Sequence, residues 1–316
     1  MTTTVGRFAP SPSGRMHVGN LFSALLAWLS ARQAGGRIVL RIEDLDTARC
    51  RPAYAAQVID DLCWLGLTFD EGGLKDGPAG SYLQSRRTAY YQEIFAELAK
   101  KALVYPCFCS RGELHAASAP HLSDGRTVYA GTCRRLSAEE RTRRAVSRPP
   151  AWRIEAPDES IGFWDGHYGF YAENPAKTGG DFLLRRSDGL FCYVLAVVAD
   201  DIAMGVNQVV RGRDLLSATP VQLYLYRLLN APPPDFYHVP LLVAPDGRRL
   251  SKRDGDLDLG ALRARFPSPE PLLGRLAFLA GLTDRPEPLA ACELIPLFSW
   301  DKVPRADIPV SADCFV

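Results

Sequence analysis

Residues 7–20, RFAPSPSGRMHVGN, place the tightest constraint on what this chain can build. Pro10 and Pro12 each fix their own φ and push the preceding residue toward extended geometry, so no regular helix runs through them. The short β-like opening VGRFA therefore enters a shaped loop, which hands over to the amphipathic stretch LFSALLAWLSARQ. His17, Gly19 and Asn20 fall at that handover, where free backbone N–H groups and the positive end of a helix dipole meet. Such a junction suits a phosphate, and it also serves as a plain strand-to-helix connection.

The alternation continues downstream. Residues 21–33 read as a helix, RIVLRIED as a strand with a β-branched core, and residues 53–65 as a second helix. This order predicts a parallel sheet with helices on its faces. A helix over 86–102 leads into YPCFCSRGEL, after which the chain to about Pro175 is rich in Arg, Pro, Gly and Ser, with short strand-like pieces AWRIEA and SIGFWDG. That composition predicts an insertion module. The α/β pattern resumes in DFLLRRSDGLFCYVLAVVADDIAMGVNQVVRG, read as two or three strands. A helix over 218–229 and a strand in YHVPLLVAPDG follow, ending in the basic loop RRLSKRDG. Helical pieces LGALRARF and PLLGRLAFLAGL fill the tail, broken by prolines.

Bulk properties narrow the function classes. With 316 residues, 47% hydrophobic and 23% charged, the chain is of ordinary globular type and long enough for one large domain or two to three smaller ones. Its apolar runs are too short or too polar to span a bilayer, so no membrane partner is expected. MTTTVGR lacks a basic segment followed by an apolar one, which points to no signal peptide and to the cytoplasm. A net charge of +1 argues against nucleic-acid binding through global charge. Locally, however, nine arginines face four acids between Tyr105 and Arg153. The eight cysteines show no disulfide rhythm, and most are expected as buried thiols. Cys107 and Cys109, with Cys133 beyond, stand apart: three thiolates want a fourth ligand for tetrahedral zinc, and His115 and His121 are the chemically ordinary candidates.

Neither a GxxxxGK[ST] loop nor a GxGxxG turn follows the first strand, so a nucleotide would need another phosphate apparatus. HVGN is the leading candidate, and Lys252 in RRLSKRDG the second, as a mobile ammonium able to neutralise charge developing on a phosphate. The ordered set RFAPSPSGRMHVGN, GGRIVLRIEDLDTAR, VVRGRDLLSATPVQLYLYRLL and LSKRDG resembles the catalytic domain of class I glutamyl-tRNA synthetases. HVGN stands where that family has His-x-Gly-His, and RLSKR where it has Lys-Met-Ser-Lys-Ser. The short tail after the LSKR loop, and an insertion reading CFC and then YAGTC, resemble the shortened glutamyl-queuosine tRNA(Asp) synthetase paralogues.

The resemblance implies an α/β fold: a Rossmann-type class I aminoacyl-tRNA synthetase catalytic domain with a zinc-type insertion and a short helical C-terminal region. Residues 1–104 and 181–255 would form the two catalytic halves, 105–180 the insertion, and 256–316 the C-terminal region. It implies tRNA-independent activation of L-glutamate with ATP and Mg²⁺, then transfer to queuosine at the wobble position of tRNA(Asp), by a monomer. Glutamate would be bound by Arg7, Phe8, Ala9, Pro10, Ser11, Glu43, Tyr193 and Arg211, the arginines as bidentate forks and Glu43 as counter-charge for the ammonium. ATP would lie over His17, Gly19 and Asn20, with Lys252 closing on it; His17 and Lys252 would stabilise the transition state. Asn20 departs from the signature's second His, and Leu250 and Arg253 from its Met and final Ser. The family pattern points to Tyr129 as the fourth ligand beside Cys107, Cys109 and Cys133 of a structural zinc site. Arg134, Arg135, Arg143 and Arg144 would meet the phosphates of the anticodon stem-loop. Two alternatives share most of these features: a truncated glutamyl-tRNA synthetase charging tRNA(Glu), and a nucleotidylyltransferase of the same superfamily.

Overall fold

The opening strand β1 (Val5–Phe8) is buried along its whole length, the pattern of a strand covered on both faces. In the computed structural model, which describes residues 3–110, 112–113, 128–248, 250 and 257–315, β1 pairs in parallel with β2 (Arg37–Leu40). Strand β2 pairs in parallel with β3 (Glu71–Gly72). Helices α1 (Val18–Gln33) and α2 (Pro52–Trp64) make the crossovers. Helix α1 is buried on most of its circumference, beyond the one-sided stripe of an amphipathic helix, because the sheet lies on one side and C-terminal elements on the other. Helix α3 (Thr88–Lys101) then leads out of this half.

Strand β4 (Val104–Cys107) pairs antiparallel with β5 (Ala151–Ile154), opposite to the parallel pairing before it. A hairpin of β6 (Ile161–Asp165) and β7 (Gly169–Glu173) follows, and β8 (Phe182–Arg185) closes the antiparallel sheet against β5. Helix Ala138–Ser147, AEERTRRAVS, buries no residue. Its N-terminus is held by a reciprocal cap: Ser137 Oγ accepts from the Glu140 N–H and the Glu140 carboxylate accepts from the Ser137 N–H.

The stretch from DFLLRR to VVRG holds two strands and a helix rather than a run of strands. YVLAVVADDIA forms helix Tyr193–Ala203; its middle is buried without a break from Leu195 to Asp201, so the run carries no period that separates strand from helix. Strand β9 (Gln208–Gly212) pairs in parallel with β10 (Asp235–Val239), across helix Thr219–Leu228. The two parallel groups meet at Asn207, whose N–H donates to the Val5 carbonyl while its Oδ1 accepts from the Val5 N–H at 2.7 Å. This sets β1 between β2 and β9, with the C-terminal ends of β1, β2 and β9 opening on one side. Pro240 ends β10, and β11 (Leu242–Val243) pairs with β12 (Ile308–Pro309). Helices Leu259–Arg265, Glu270–Leu279 and Ala291–Leu294 pack into the same core as α1. No helix among the described residues is long and apolar enough to cross a membrane.

Candidate active site

The junction after β1 forms by reciprocal capping. His17 is the residue before the first turn of α1; its Nδ1 accepts from the Gly19 N–H at 3.1 Å, and its own N–H donates to Asn20 Oδ1 at 3.2 Å. Asn20 thus spends its oxygen on the helix terminus, a role the signature comparison does not suggest. With Nδ1 accepting, the neutral ring carries its proton on Nε2. A Cβ on Gly19 would lie 3.1–3.2 Å from the His17 ring, so the glycine makes room for the imidazole as well as for a ligand. The Leu259 N–H donates to the Met16 carbonyl at 2.9 Å, and His17 bridges Asp258, so the chain just after the LSKR segment is tied to this junction. Arg15 and Arg263 both reach the buried Asp61, which fixes the loop to α2. Lys252 lies outside the described residues, as do His115, His121 and Arg253.

Beside the junction, at the C-terminal ends of β1, β2 and β9, charges are buried in unusual density. Arg7 donates to the Val210 carbonyl at 3.0 Å and stands 3.8 Å from Asp201. Arg41, fully buried, takes the same Asp201 carboxylate at 2.6 Å and Glu43 at 3.2 Å. Asp200 is held by Arg87 at 2.7 Å, and by Tyr91 and Gln84 at 2.8 Å each. Burial, with Arg41 and Arg211 close by, pulls the Arg7 guanidinium below its ordinary value, against the pull of Asp201. Burial likewise raises Glu43 despite Arg41 and Arg7. Arg211 has no carboxylate partner among the described residues: its Nε faces His238 Nε2 at 3.1 Å and its Nη2 donates to Thr219 Oγ1 at 2.8 Å. The buried atoms Arg7 Nε and Arg211 Nη1 have no hydrogen-bond partner among the described residues.

Glu43, Tyr193, Arg7 and Arg211 come together as the sequence suggests, since the Tyr193 hydroxyl lies within electrostatic range of all three others and of Asp201. Tyr193 opens its helix and remains 36% exposed as a residue, while its hydroxyl is turned among the buried charges. Within the loop, Phe8 turns into the core and its carbonyl is taken by the Arg41 N–H; Pro10 offers its carbonyl to the Glu43 N–H. Ala9 is partly buried and Ser11 exposed. The sequence gives no prominence to Arg41, Asp200, Asp201, Arg87, Asp165 or His238. A charged doublet closing the apolar run YVLAVVADD, and an arginine inside a β-branched strand, are the signals that mark two of these groups.

The cysteines also converge. The sulfurs of Cys107, Cys109 and Cys133 lie within 4.8 Å of one another. The Tyr129 hydroxyl is 3.5 Å from Cys107 Sγ and accepts from the Cys133 N–H at 2.9 Å. Arg153 stacks over the Tyr129 ring and donates to Cys107 Sγ at 3.4 Å. Burial alone would raise the Cys107 thiol, yet Tyr129, the Cys109 amide and Arg153 hold it below its ordinary value, while burial and the neighbouring sulfurs push Cys109 up to about 12. Sulfurs around tetrahedral zinc sit roughly 3.8 Å apart, so this cluster could bind a metal with little movement. Of the arginines expected at a nucleic-acid surface, Arg134 is instead drawn inward to Glu155 at 2.7 Å and Asp181 at 3.4 Å. Arg135 and Arg143 are exposed, and Arg144 is partly so.

Residues 3–290 match the family model for the class I tRNA synthetases (E and Q), catalytic domain. The chain belongs to this family. It is 51% identical to the glutamyl-Q tRNA(Asp) synthetase of Symbiobacterium thermophilum, over 98% of this chain and 96% of that protein. Against the glutamyl-Q tRNA(Asp) synthetase of Nitratidesulfovibrio vulgaris it is 49% identical, with the same coverage of each. In structure it is similar to glutamate-tRNA synthetase from Elizabethkingia anophelis, with a TM-score of 0.85 at 29% identity, covering 99% of this chain and 69% of that one. Membership in the class I family makes this an α/β enzyme of ligase type, and its substrates glutamate, ATP and a tRNA.

Proposed function

We infer that the protein activates L-glutamate with ATP, without tRNA, and transfers it to queuosine at the wobble position of tRNA(Asp). The observation that carries the amino-acid half is the charge imbalance at the ends of β1 and β9. Arg7 shares a single distant carboxylate with Arg41, and Arg211 has none among the described residues, while each keeps a buried nitrogen without a hydrogen-bond partner. Two such cations side by side call for a dianionic side-chain-plus-main-chain ligand, and glutamate supplies two carboxylates. Glu43, only part-neutralised by Arg41, supplies the charge for its ammonium. The tRNA half rests on the two full-length relatives, both named for that activity.

In the first step a glutamate carboxylate oxygen attacks the α-phosphorus of ATP, and the bond to pyrophosphate breaks. His17, held by the α1 terminus, donates Nε2–H to the phosphate oxygens as charge develops, with Gly19 and Asn20 at the same terminus and Lys252 approaching from its loop. Mg²⁺ bound with ATP would supply charge neutralisation for the pyrophosphate. No protein nucleophile is needed, so catalysis is positioning plus charge stabilisation. In the second step a hydroxyl of the queuosine cyclopentenediol attacks the adenylate carbonyl and AMP leaves. The anticodon stem-loop meets Arg135, Arg143 and Arg144, while Cys107, Cys109, Cys133 and Tyr129 would hold a zinc ion that pins the insertion structurally. The protein acts as a monomer in the cytoplasm. The test is ATP–pyrophosphate exchange without tRNA: exchange with glutamate, and none with glutamine or aspartate, is expected, whereas exchange that ignores the amino acid removes this assignment.

A further inference from the structure

Arg211 is held by groups from two separate parts of the fold. Asp165 ends β6 of the hairpin, and its Oδ1 accepts from the amides of His167 at 3.0 Å and Tyr168 at 2.8 Å. Its Oδ2 accepts from the His238 N–H at 3.1 Å and faces His238 Nδ1 at 2.6 Å. The other ring nitrogen, Nε2, faces Arg211 Nε at 3.1 Å. Arginine has donors only, so Nε2 must accept and the ring proton must sit on Nδ1, directed at Asp165. All three side chains are buried, and the Gly166 N–H donates to the Phe236 carbonyl at 2.8 Å, locking the hairpin turn to β10. His238 and Thr219 together occupy the Nε and Nη2 edge of the guanidinium, which leaves Nη1.

We propose that Asp165 and His238 are positioning residues for glutamate: Asp165 fixes the tautomer of His238, and His238 turns Arg211 so that Nη1 meets a substrate carboxylate. The hairpin of the insertion thereby sets the orientation of an arginine in the catalytic sheet. This rests on the assignment of Arg211 to the glutamate site made above.

The isosteric variant D165N changes the tautomer; because Oδ2 also accepts from the His238 N–H, that amide is left its longer contact with Oδ1 at 3.3 Å. Its amide keeps Oδ1 for the two turn N–H groups and presents Nδ2 to His238. Nδ2 only donates, so Nδ1 must accept, and the proton moves to Nε2, where it opposes the Arg211 Nε–H. In H238Q the amide carbonyl still accepts from Arg211, and there is no tautomer to fix. Glutamate and ATP KM are measured separately by pyrophosphate exchange without tRNA. D165N is expected to raise the glutamate KM by about tenfold or more and leave the ATP KM unchanged, in line with a lost charge-assisted hydrogen bond. H238Q should lie closer to wild type, and adding D165N to it should move the glutamate KM no further. A wild-type glutamate KM in D165N, or an equal penalty in the H238Q background, overturns the proposal. Failure of wild type to exchange with glutamate would instead remove the glutamate assignment and the proposal with it. If D165N does not fold, imidazole nitrogen NMR of the wild-type protein decides, since a proton on Nε2 of His238 contradicts the relay.

Discussion

At the junction of β1 and α1, Gly19 faces the His17 ring, and a methyl group there would crowd the imidazole at 3.1–3.2 Å. Gly19→Ala should displace the imidazole by a fraction of an ångström and lower pyrophosphate exchange by about tenfold, less than the roughly hundredfold of a one-ångström misplacement, while circular dichroism stays native. Arg41 is a different kind of residue: wholly buried, it balances Asp201 and Glu43 and lies 3.7 Å from Asp200. Arg41→Ala would strand those carboxylates and is expected to cost about 3–5 kcal/mol in urea unfolding. His238 gives a pH signature. Burial, with Arg211 and Arg7 nearby, holds its ring below the ordinary imidazole value even though Asp165 pulls it up. As pH falls through about 6.5 the unfolded chain takes up a proton that the folded ring refuses, so stability falls toward acid. Burial alone would raise Asp165, yet His238 and the turn amides depress it, so its contribution is lost only below the ordinary aspartate range, outside this window. The drop in urea midpoint between pH 7 and pH 5 should therefore shrink in H238Q, leaving the share of His167, which burial also lowers. The arginines and Glu43 were legible because they sit in motifs; their partners were not, because Arg41 meets Asp201 across 160 residues and His238 meets Asp165 across 73.

Among the elements, the helix Ala138–Ser147 shows how a local signal survives without a core. Its Ser137–Glu140 cap and its arginines make a helix that buries nothing and keeps its charge at the surface. Charge reversal at Arg143 and Arg144 should weaken transfer to tRNA and flatten its salt dependence, with exchange rates unchanged. Arg134→Glu should behave otherwise, loosening the insertion through Glu155 and Asp181, and lowering its protease resistance. The cysteine cluster is the other local anchor. Metal analysis should find about one zinc per chain, and Cys133→Ser should lose it together with part of the melting temperature. CFC and YAGTC were legible as a potential metal site, and Tyr129 does stand beside the sulfurs. Helix Tyr193–Ala203 was not legible as a helix, since unbroken burial from Leu195 to Asp201 erased its period.

Over the whole molecule, the βαβα opening and the late return of parallel strands are what bring residues 7, 43 and 211 to one edge. β1 lies between β2 and β9, so Arg7, Glu43 and Arg211 arrive from three neighbouring strands or their ends, and α1 delivers His17 beside them. The antiparallel sheet carrying the cysteines and the hairpin carrying Asp165 hang between the two halves, and one of them reaches back to Arg211 through His238. On the proposed function, a surface for RNA and a pocket for glutamate would be joined through this one segment. The measurement that bears most directly on this is transfer of labelled glutamate to three purified RNAs: tRNA(Asp) carrying queuosine, the same tRNA with unmodified guanine, and tRNA(Glu). Label on the queuosine-bearing tRNA(Asp) alone is expected; label on tRNA(Glu) would contradict it and make the protein a charging enzyme for that tRNA.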